Sequence, residues 1–384
     1  MNRISDKPAN SGRQEFLDLV KAILIVAMLN NHLIIYGTEN YSVSHPVFSF
    51  ISCVVFSEIF GAQIFMFCMG IGMAYSRNGA SPKRLSGRGV KLYAKAWWLN
   101  IVRGGALCFF LWLVSGDSAW FNGFLHAATV IDILHFAGLA FLLMALLVKI
   151  GLNDLSILAV GVVLSLAGSF IREIQIDSLL LNIILGQFVG TFGGVFDTGF
   201  PLFNWFIYVA GGLVFGSRLK RCTDVNRLLL SLFVPSVIIM AVYCAAALPG
   251  MTGIFASDNA FYFMTLLDAV FLTAAVFVMF YICYLIMLRL PAGLKKICGF
   301  MSRNINRIYC AHWIIVLNLF GILLRRILGI TLNLPVHIIC LIAILLISCY
   351  AAYLMERKAE RKTEPAQDAG MPGQNKGNNS ENRS

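Results

Sequence analysis

The sequence is short of charge. Only 13% of its 384 residues are charged, against 59% hydrophobic, where a soluble domain carries closer to one-quarter charged residues. That scarcity excludes an ordinary water-soluble domain and points to a polytopic membrane protein. The ten cysteines lack any C-x-x-C pair or metal-type spacing, so no metal site or redox motif is expected and they read as small hydrophobes. Met1 to Gln14 is polar with no apolar core, so no signal peptide is expected there. No loop is long enough for a soluble module, and no internal repeat emerges, which counts against transporters built from repeats.

What the sequence does have is apolar runs of roughly 20 residues, the length that crosses a bilayer. Ten are expected, near 19–37, 58–76, 97–115, 128–148, 153–171, 201–217, 228–248, 261–288, 306–324 and 335–355. The fold class is therefore all-α, with about ten transmembrane helices. Residues 15–356 form one membrane domain, 1–14 a disordered N-terminus and 357–384 a disordered, Gly-, Asn- and Ser-rich tail. Lys and Arg gather at 77–95, at Lys149, at 218–227 and at 289–307, whereas the alternate loops 38–57, 116–127 and 249–260 hold none. Only Arg172, Arg325 and Arg326 break the pattern, so the positive-inside rule puts both termini in the cytoplasm. The net charge of +11 is then topology, with no reason to invoke nucleic acid. The segment 172–200 is semi-apolar but glycine-rich, and is expected to lie in the interface or dip into the domain.

Ionisable residues inside such spans are functional candidates. His32, Asp132, His135, Arg103, Asp268 and His312 all fall within apolar runs, with Glu58 at a span end. The first span reads "KAILIVAMLNNH", and its ends Lys21 and His32 are eleven residues apart. On a helix they share a face and lie roughly 16 Å apart along the axis. A long ligand with an anionic head and a reactive far end fits that ruler, and acyl-CoA is of this kind. A buried neutral histidine can take a proton from a hydroxyl or amine attacking the thioester, or carry the acyl group itself. Asn30 and Asn31 diverge from His32 in azimuth, so at most one assists directly. Asp132 and His135, at i and i+3, can touch on one helix face and read equally as packing contact or site. His312 reads as a packing residue, and His45, His126 and His337 as interfacial. The basic stretch "RNGASPKRLSGRGVKLYAK" is an inward loop suited to phosphate.

The spacing of Lys21, ten residues, then His32, preceded by "FLDLV", resembles the first-helix signature of the acyltransferase family 3 superfamily. "IFMFCMGIGMAYS" at 64–76, "DILHFAGLAFLL" at 132–143, "FPLFNWFIYVAGGLVFG" at 200–216 and "NINRIYCAHWIIV" at 304–316 resemble, in order, segments of the heparan-alpha-glucosaminide N-acetyltransferase-like membrane proteins. The resemblance implies a ten-helix acyltransferase that takes an acyl group, usually acetyl, from cytoplasmic acyl-CoA and delivers it across the membrane to a glycan, glycolipid or other small acceptor. It implies His32 as the catalytic histidine and Lys21 as the first-helix basic residue. The family's Arg-x-x-Arg falls on Arg88 and Lys91, where lysine replaces the second arginine and loses its bidentate geometry. The family's Pro-Trp is here Asn204-Trp205.

The expectation is thus an O- or N-acetyltransferase of a bacterial inner membrane, with acetyl-CoA as donor substrate, no permanently bound cofactor and no metal. His32, with Asp132 and His135, is the candidate for catalysis. Lys21, Arg88 and Lys91, with Arg103 as a further cation, are the candidates for the donor. Arg103, Asp132 and His135 are also candidates for positioning the acceptor. Membrane lipids, acyl-CoA and the acceptor are the partners, and homo-oligomerisation is left open. A transporter or flippase for a polar or lipid-linked substrate shares the intramembrane charges but not the need for the Lys21–His32 ruler. A non-catalytic scaffold would need none of them.

Overall fold

The computed structural model describes residues 5, 7–39, 41–76, 81–171, 178–190, 198–256 and 260–363. These are mostly helical, with no strand among them and an isolated bridge between Ile131 and Thr198. The helices are α1 Glu15–Gly37, α2 Pro46–Tyr75, α3 Pro82–Ser115, α4 Ser118–Thr129, α5 Ile133–Lys149, α6 Asp154–Phe170, α7 Leu179–Val189, α8 Leu202–Arg221, α9 Val225–Ala247, α10 Leu266–Arg289, α11 Ala292–Arg303, α12 Ile305–Ile327 and α13 Leu334–Thr363. Eight of them (α1, α2, α3, α8, α9, α10, α12 and α13) are long and apolar enough to cross a membrane. The other two expected spans appear as the shorter, 17-residue apolar helices α5 and α6. Arg77 and Arg172 lie outside the described residues, as do 172–177 and 191–197 of the semi-apolar segment.

Three expectations change. The basic stretch after α2 is not a loop from residue 82 onward but the first turns of α3, with Pro82 at a position where its missing N–H costs nothing. Residues 7–14 are not loose. Asn10 donates through its N–H to Lys220 O (2.9 Å) and through Nδ2 to Leu219 O (3.2 Å), carbonyls of the last turn of α8. Arg13 continues the strap, bonding Asp18 (2.6 Å) and Gly299 O (3.0 Å) and so tying α1 to α11. At the other end α13 stays helical to Thr363, because its last turns are rich in Ala, Glu, Lys and Arg, good helix formers. Residues 364–384 lie outside the described residues.

α8 is the centre of one half of the bundle, packed against α2 and α6. Its approach to α2 is backbone on backbone: a Cβ on Gly70 would fall 2.1 Å from Val209 O, and one on Gly212 2.0 Å from Phe67 O. Without a hydrophobic driving force in lipid, such close van der Waals contact holds helices together. The interlocked rings of Phe67, Phe215, Phe277 and Phe280 extend the contact to α10. In the other half α3 packs on α5, and α1 crosses between the halves, touching α10, α11, α12 and α13. α1 therefore presents its side chains to the seam where the two halves meet.

α3 is broken at its middle. Gly104 takes φ +139° and Arg103 sits at φ −84°, ψ 31°, outside helical values. A side chain at Gly104 would be strained in that conformation and would meet Leu317 at 3.1 Å. The break aims Arg103 into the bundle.

Candidate functional site

Three connected voids run along this seam. The end of the bundle where α1 begins is the inner end. There a cavity of about 280 Å³ is lined by Lys21, Arg88, Arg303 and Asn306 among apolar side chains from α2 and α5. A cavity of about 510 Å³ at the outer end is lined by Asn31, His32, Arg103, His126, Asp132 and Arg326 with the rings of Tyr36, Phe200, Tyr262 and Trp313. Between them lies a void of about 80 Å³. It shares Met28, Phe65, Ile133 and Tyr309 with the inner cavity, and Asn31, His32, Asp132, Phe200 and Tyr262 with the outer one. His32 lines the small middle void and the outer cavity.

His32 is oriented by a second histidine. His312, fully buried on α12, donates from Nδ1–H to the Ile308 carbonyl (3.1 Å), because a carbonyl can only accept. Its Nε2 then carries the lone pair and accepts Nδ1–H of His32 at 3.0 Å. That chain of two bonds leaves Nε2 of His32 as the nitrogen with a free lone pair. Trp313 covers the His32 ring at a centroid distance of 4.0 Å. Tyr309, His312 and Trp313 are the i, i+3 and i+4 positions of one α12 face.

A buried ion pair frames the other side. Arg103, 3% exposed, pairs with Asp132, is held by Asn100 Oδ1 (2.9 Å) and lies 4.6 Å over the Trp313 ring. Asp132 also accepts from Tyr309 Oη–H (2.5 Å) and from the Ile133 N–H (2.6 Å) as the N-cap of α5. Every acceptor direction of that carboxylate is spoken for, so it positions Arg103 and Tyr309. Asn100 in turn donates to Val130 O (2.8 Å) and Ala128 O (3.2 Å), locking α3 to the α4–α5 turn.

The candidates thus sort by place. His32, Asp132 and Arg103 come together; Arg103 sits at the outer cavity rather than among the donor cations. Lys21 and Arg88 meet in the inner cavity, Arg88 with its guanidinium 4.6 Å over Phe141. Lys91 is exposed and lines no cavity. His135 is not brought to His32: its Nδ1 accepts the Asp132 N–H (3.2 Å) in a capping box, and its ring lies edge-on to Trp97 (4.7 Å). Asp268 likewise caps α10 with Thr265 and bonds Tyr243. His337 is buried rather than interfacial, donating from Nε2 to Asn30 Oδ1 (2.9 Å). So of the three polar residues ending the first-helix motif, Asn30 braces α13, while Asn31 and His32 both line the middle void and the outer cavity. Asn204 and Trp205 hold the turn carrying Tyr262 into the cavity, by donating to Met264 O (2.9 Å) and Tyr262 O (3.0 Å). Among the described residues no His, Cys, Asp and Glu group is arranged to hold a metal.

The class is a helical membrane bundle with a buried, relayed histidine between two cavities. The family is specific: residues 13–249, well over half the chain, match the model for heparan-alpha-glucosaminide N-acetyltransferase, catalytic, and the chain belongs to that family. Membership implies a membrane acetyltransferase; the wider kinship with the acyltransferase family 3 superfamily is not carried by this match. No curated protein and no solved structure matches the chain. The matched region contains Lys21, His32, Arg88, Arg103 and Asp132 but ends before α12, so Tyr309, His312 and Trp313 lie beyond it.

Proposed function

We propose that the protein transfers an acetyl group from cytoplasmic acetyl-CoA, across a bacterial inner membrane, to a hydroxyl or amine of a glycan, glycolipid or similar small acceptor. The observation that carries this reading is the position of His32 at the junction of an inner cavity lined by Lys21 and Arg88 and a wider, ring-lined outer cavity. Among the described residues no Asp or Glu lines the inner cavity, which suits phosphates. α1 is unbroken from Lys21 to His32, so phosphates at Lys21 and a thioester at His32 are about 16 Å apart. In this reading α5 and α6 complete ten crossings and both termini are cytoplasmic, as the distribution of Lys and Arg supports.

The step is a direct transfer. The acceptor O–H or N–H enters from the outer cavity and gives its proton to Nε2 of His32 as its O or N bonds to the thioester carbonyl carbon. The C–S bond breaks, and the CoA thiolate leaves with the proton returned by His32. Acetylated acceptor and CoA thiol are the products. Asn31, which lines the middle void and the outer cavity as His32 does, is the group proposed to stabilise the oxyanion. His312 keeps the lone pair of His32 on the correct nitrogen. Aromatic rings of the outer cavity offer faces on which a sugar ring stacks.

The test is labelled acetyl-CoA given to washed membrane vesicles containing wild type or His32→Ala at matched protein levels. Label entering a lipid, glycan or small-molecule fraction only with wild type is expected, and the fraction labelled identifies the acceptor class. Equal labelling by both, with the variant folded, removes His32 as the base.

A further inference from the structure

The void beside His32 is far smaller than the cavities it joins: about 80 Å³ against about 280 and 510 Å³. In a direct transfer the acceptor occupies the outer cavity and the CoA arm the inner one, so with its thioester carbon at His32 the acyl chain is left the void between them. A dry cavity of about 150 Å³ holds benzene, with its six heavy atoms. On that scale the void holds about three heavy atoms, the number in an acetyl group. A butyryl group brings five and a hexanoyl group seven.

The wall that sets this limit is aromatic and packed. Phe56 and Phe65 of α2, Phe200 and Phe261 close it, with Leu24 and Met28 of α1 beside them. Leu24 and Phe261 are 1% and 5% exposed, fixed in the core, so neither yields to a longer chain without displacing its neighbours. Of the four phenylalanines Phe65 alone also lines the inner cavity, so its ring stands between that cavity and the void, as Met28 does from α1. Gly61 and Ala62, about one turn before it on α2, also line the void and add no bulk.

We infer that Phe65 is the residue that limits the donor to short acyl groups, closing the space beside His32 to anything much longer than acetyl. This inference rests on the reading of the protein as an acyl-CoA-dependent transferase with His32 at its centre. Pockets of this kind discriminate at about 10- to 200-fold for each methylene that does not fit. Removing the Phe65 ring takes away six heavy atoms, more than the four that separate hexanoyl from acetyl. The partition then opens towards the inner cavity, where a longer chain can fold back beside the CoA arm.

The experiment measures transfer from acetyl-, butyryl- and hexanoyl-CoA, each labelled in the acyl group, by wild type, Phe65→Ala and the milder Phe65→Leu in vesicles. Wild type is expected to prefer acetyl over hexanoyl by at least about a hundredfold. The acetyl-to-hexanoyl ratio falls at least about tenfold in Phe65→Ala, through a gain of hexanoyl transfer above wild type, with Phe65→Leu between the two. Wild type moving hexanoyl as readily as acetyl overturns the inference while leaving the transferase reading standing. So do ratios in both variants that stay at the wild-type value. Absence of acetyl transfer by wild type overturns the transferase reading and this inference together.

Discussion

The inner and outer cavities each present an arginine, and they treat it oppositely: Arg103 is buried, whereas Arg88 lines its cavity and stays exposed to solvent. In the outer cavity Arg103 is neutralised by Asp132, bonded by Asn100 and covered by Trp313. In the inner cavity Lys21 and Arg88 face a space with no carboxylate among its described lining residues, and Arg88 has only the Phe141 ring beneath it. A buried charge with its counter-charge built in is part of the scaffold; a cation on a cavity wall with no carboxylate beside it is open to an anion. The outer pair holds Tyr309 and Trp313 beside His32, and in the proposed function the inner pair binds a phosphate and lets it go.

The largest effect expected from this contrast is on stability. Asp132→Ala leaves Arg103 buried and unpaired and releases Tyr309, which costs about 3–5 kcal/mol. Thermal unfolding of the purified protein in detergent reads the loss. Adding Arg103→Met to Asp132→Ala removes the orphaned charge and recovers most of the stability, as hydrophobic replacements of buried pairs do. A double variant no more stable than the single would mean that the pair is not what holds this side of the site.

Next comes the histidine relay. His312→Ala removes the acceptor that fixes the tautomer of His32, and second partners of this sort are worth about 10- to 100-fold in activity. The loss falls on kcat for acetyl transfer, with KM for acetyl-CoA little changed. His312→Gln restores part of it, since an amide oxygen can accept the Nδ1–H of His32. A loss confined to KM would place His312 with the donor instead.

Arg88→Ala is expected to act on the other axis. A charge-assisted bond to phosphate contributes about 1.5–3 kcal/mol, so KM for acetyl-CoA rises at least about tenfold while kcat and thermal stability hold. Arg88→Lys recovers only part, for want of the planar fork.

How much of this was legible beforehand depends on distance along the chain. Lys21 and His32 share one helix, so their ruler is fixed by helical geometry and could be read from spacing alone. The helical class was equally legible, because apolar runs of bilayer length leave little choice. The partner of His32 was not, because His312 is 280 residues away and its face of α12 meets α1 only through the packing of the whole bundle. Asp132 and His135 were correctly seen as neighbours, yet the motif D-x-x-H before an apolar run is also how a helix is capped, and capping is what His135 does. Arg103 was misplaced among the donor cations because nothing in the sequence marks the turn of α3 at Gly104 that swings it towards Asp132.

The smallest expected effect is the sharpest test of the inner cavity. Arg88 and Lys91 match one family motif and would be given one role from the sequence. Three residues apart on α3, they differ by about 60° in azimuth. Both side chains are exposed, but that suffices to put Arg88 on the cavity wall and Lys91 off it. A cation off the wall acts on a phosphate bound in the cavity only through screened, longer-range attraction. Lys91→Ala is therefore expected to change KM for acetyl-CoA by less than about twofold at 0.15 M salt, beside the tenfold or more of Arg88→Ala. If the two variants raise KM equally, the donor's phosphates lie outside the cavity, on the basic face of α3. The contrast between a receptive inner cavity and a closed outer one would then have to be drawn at the membrane surface.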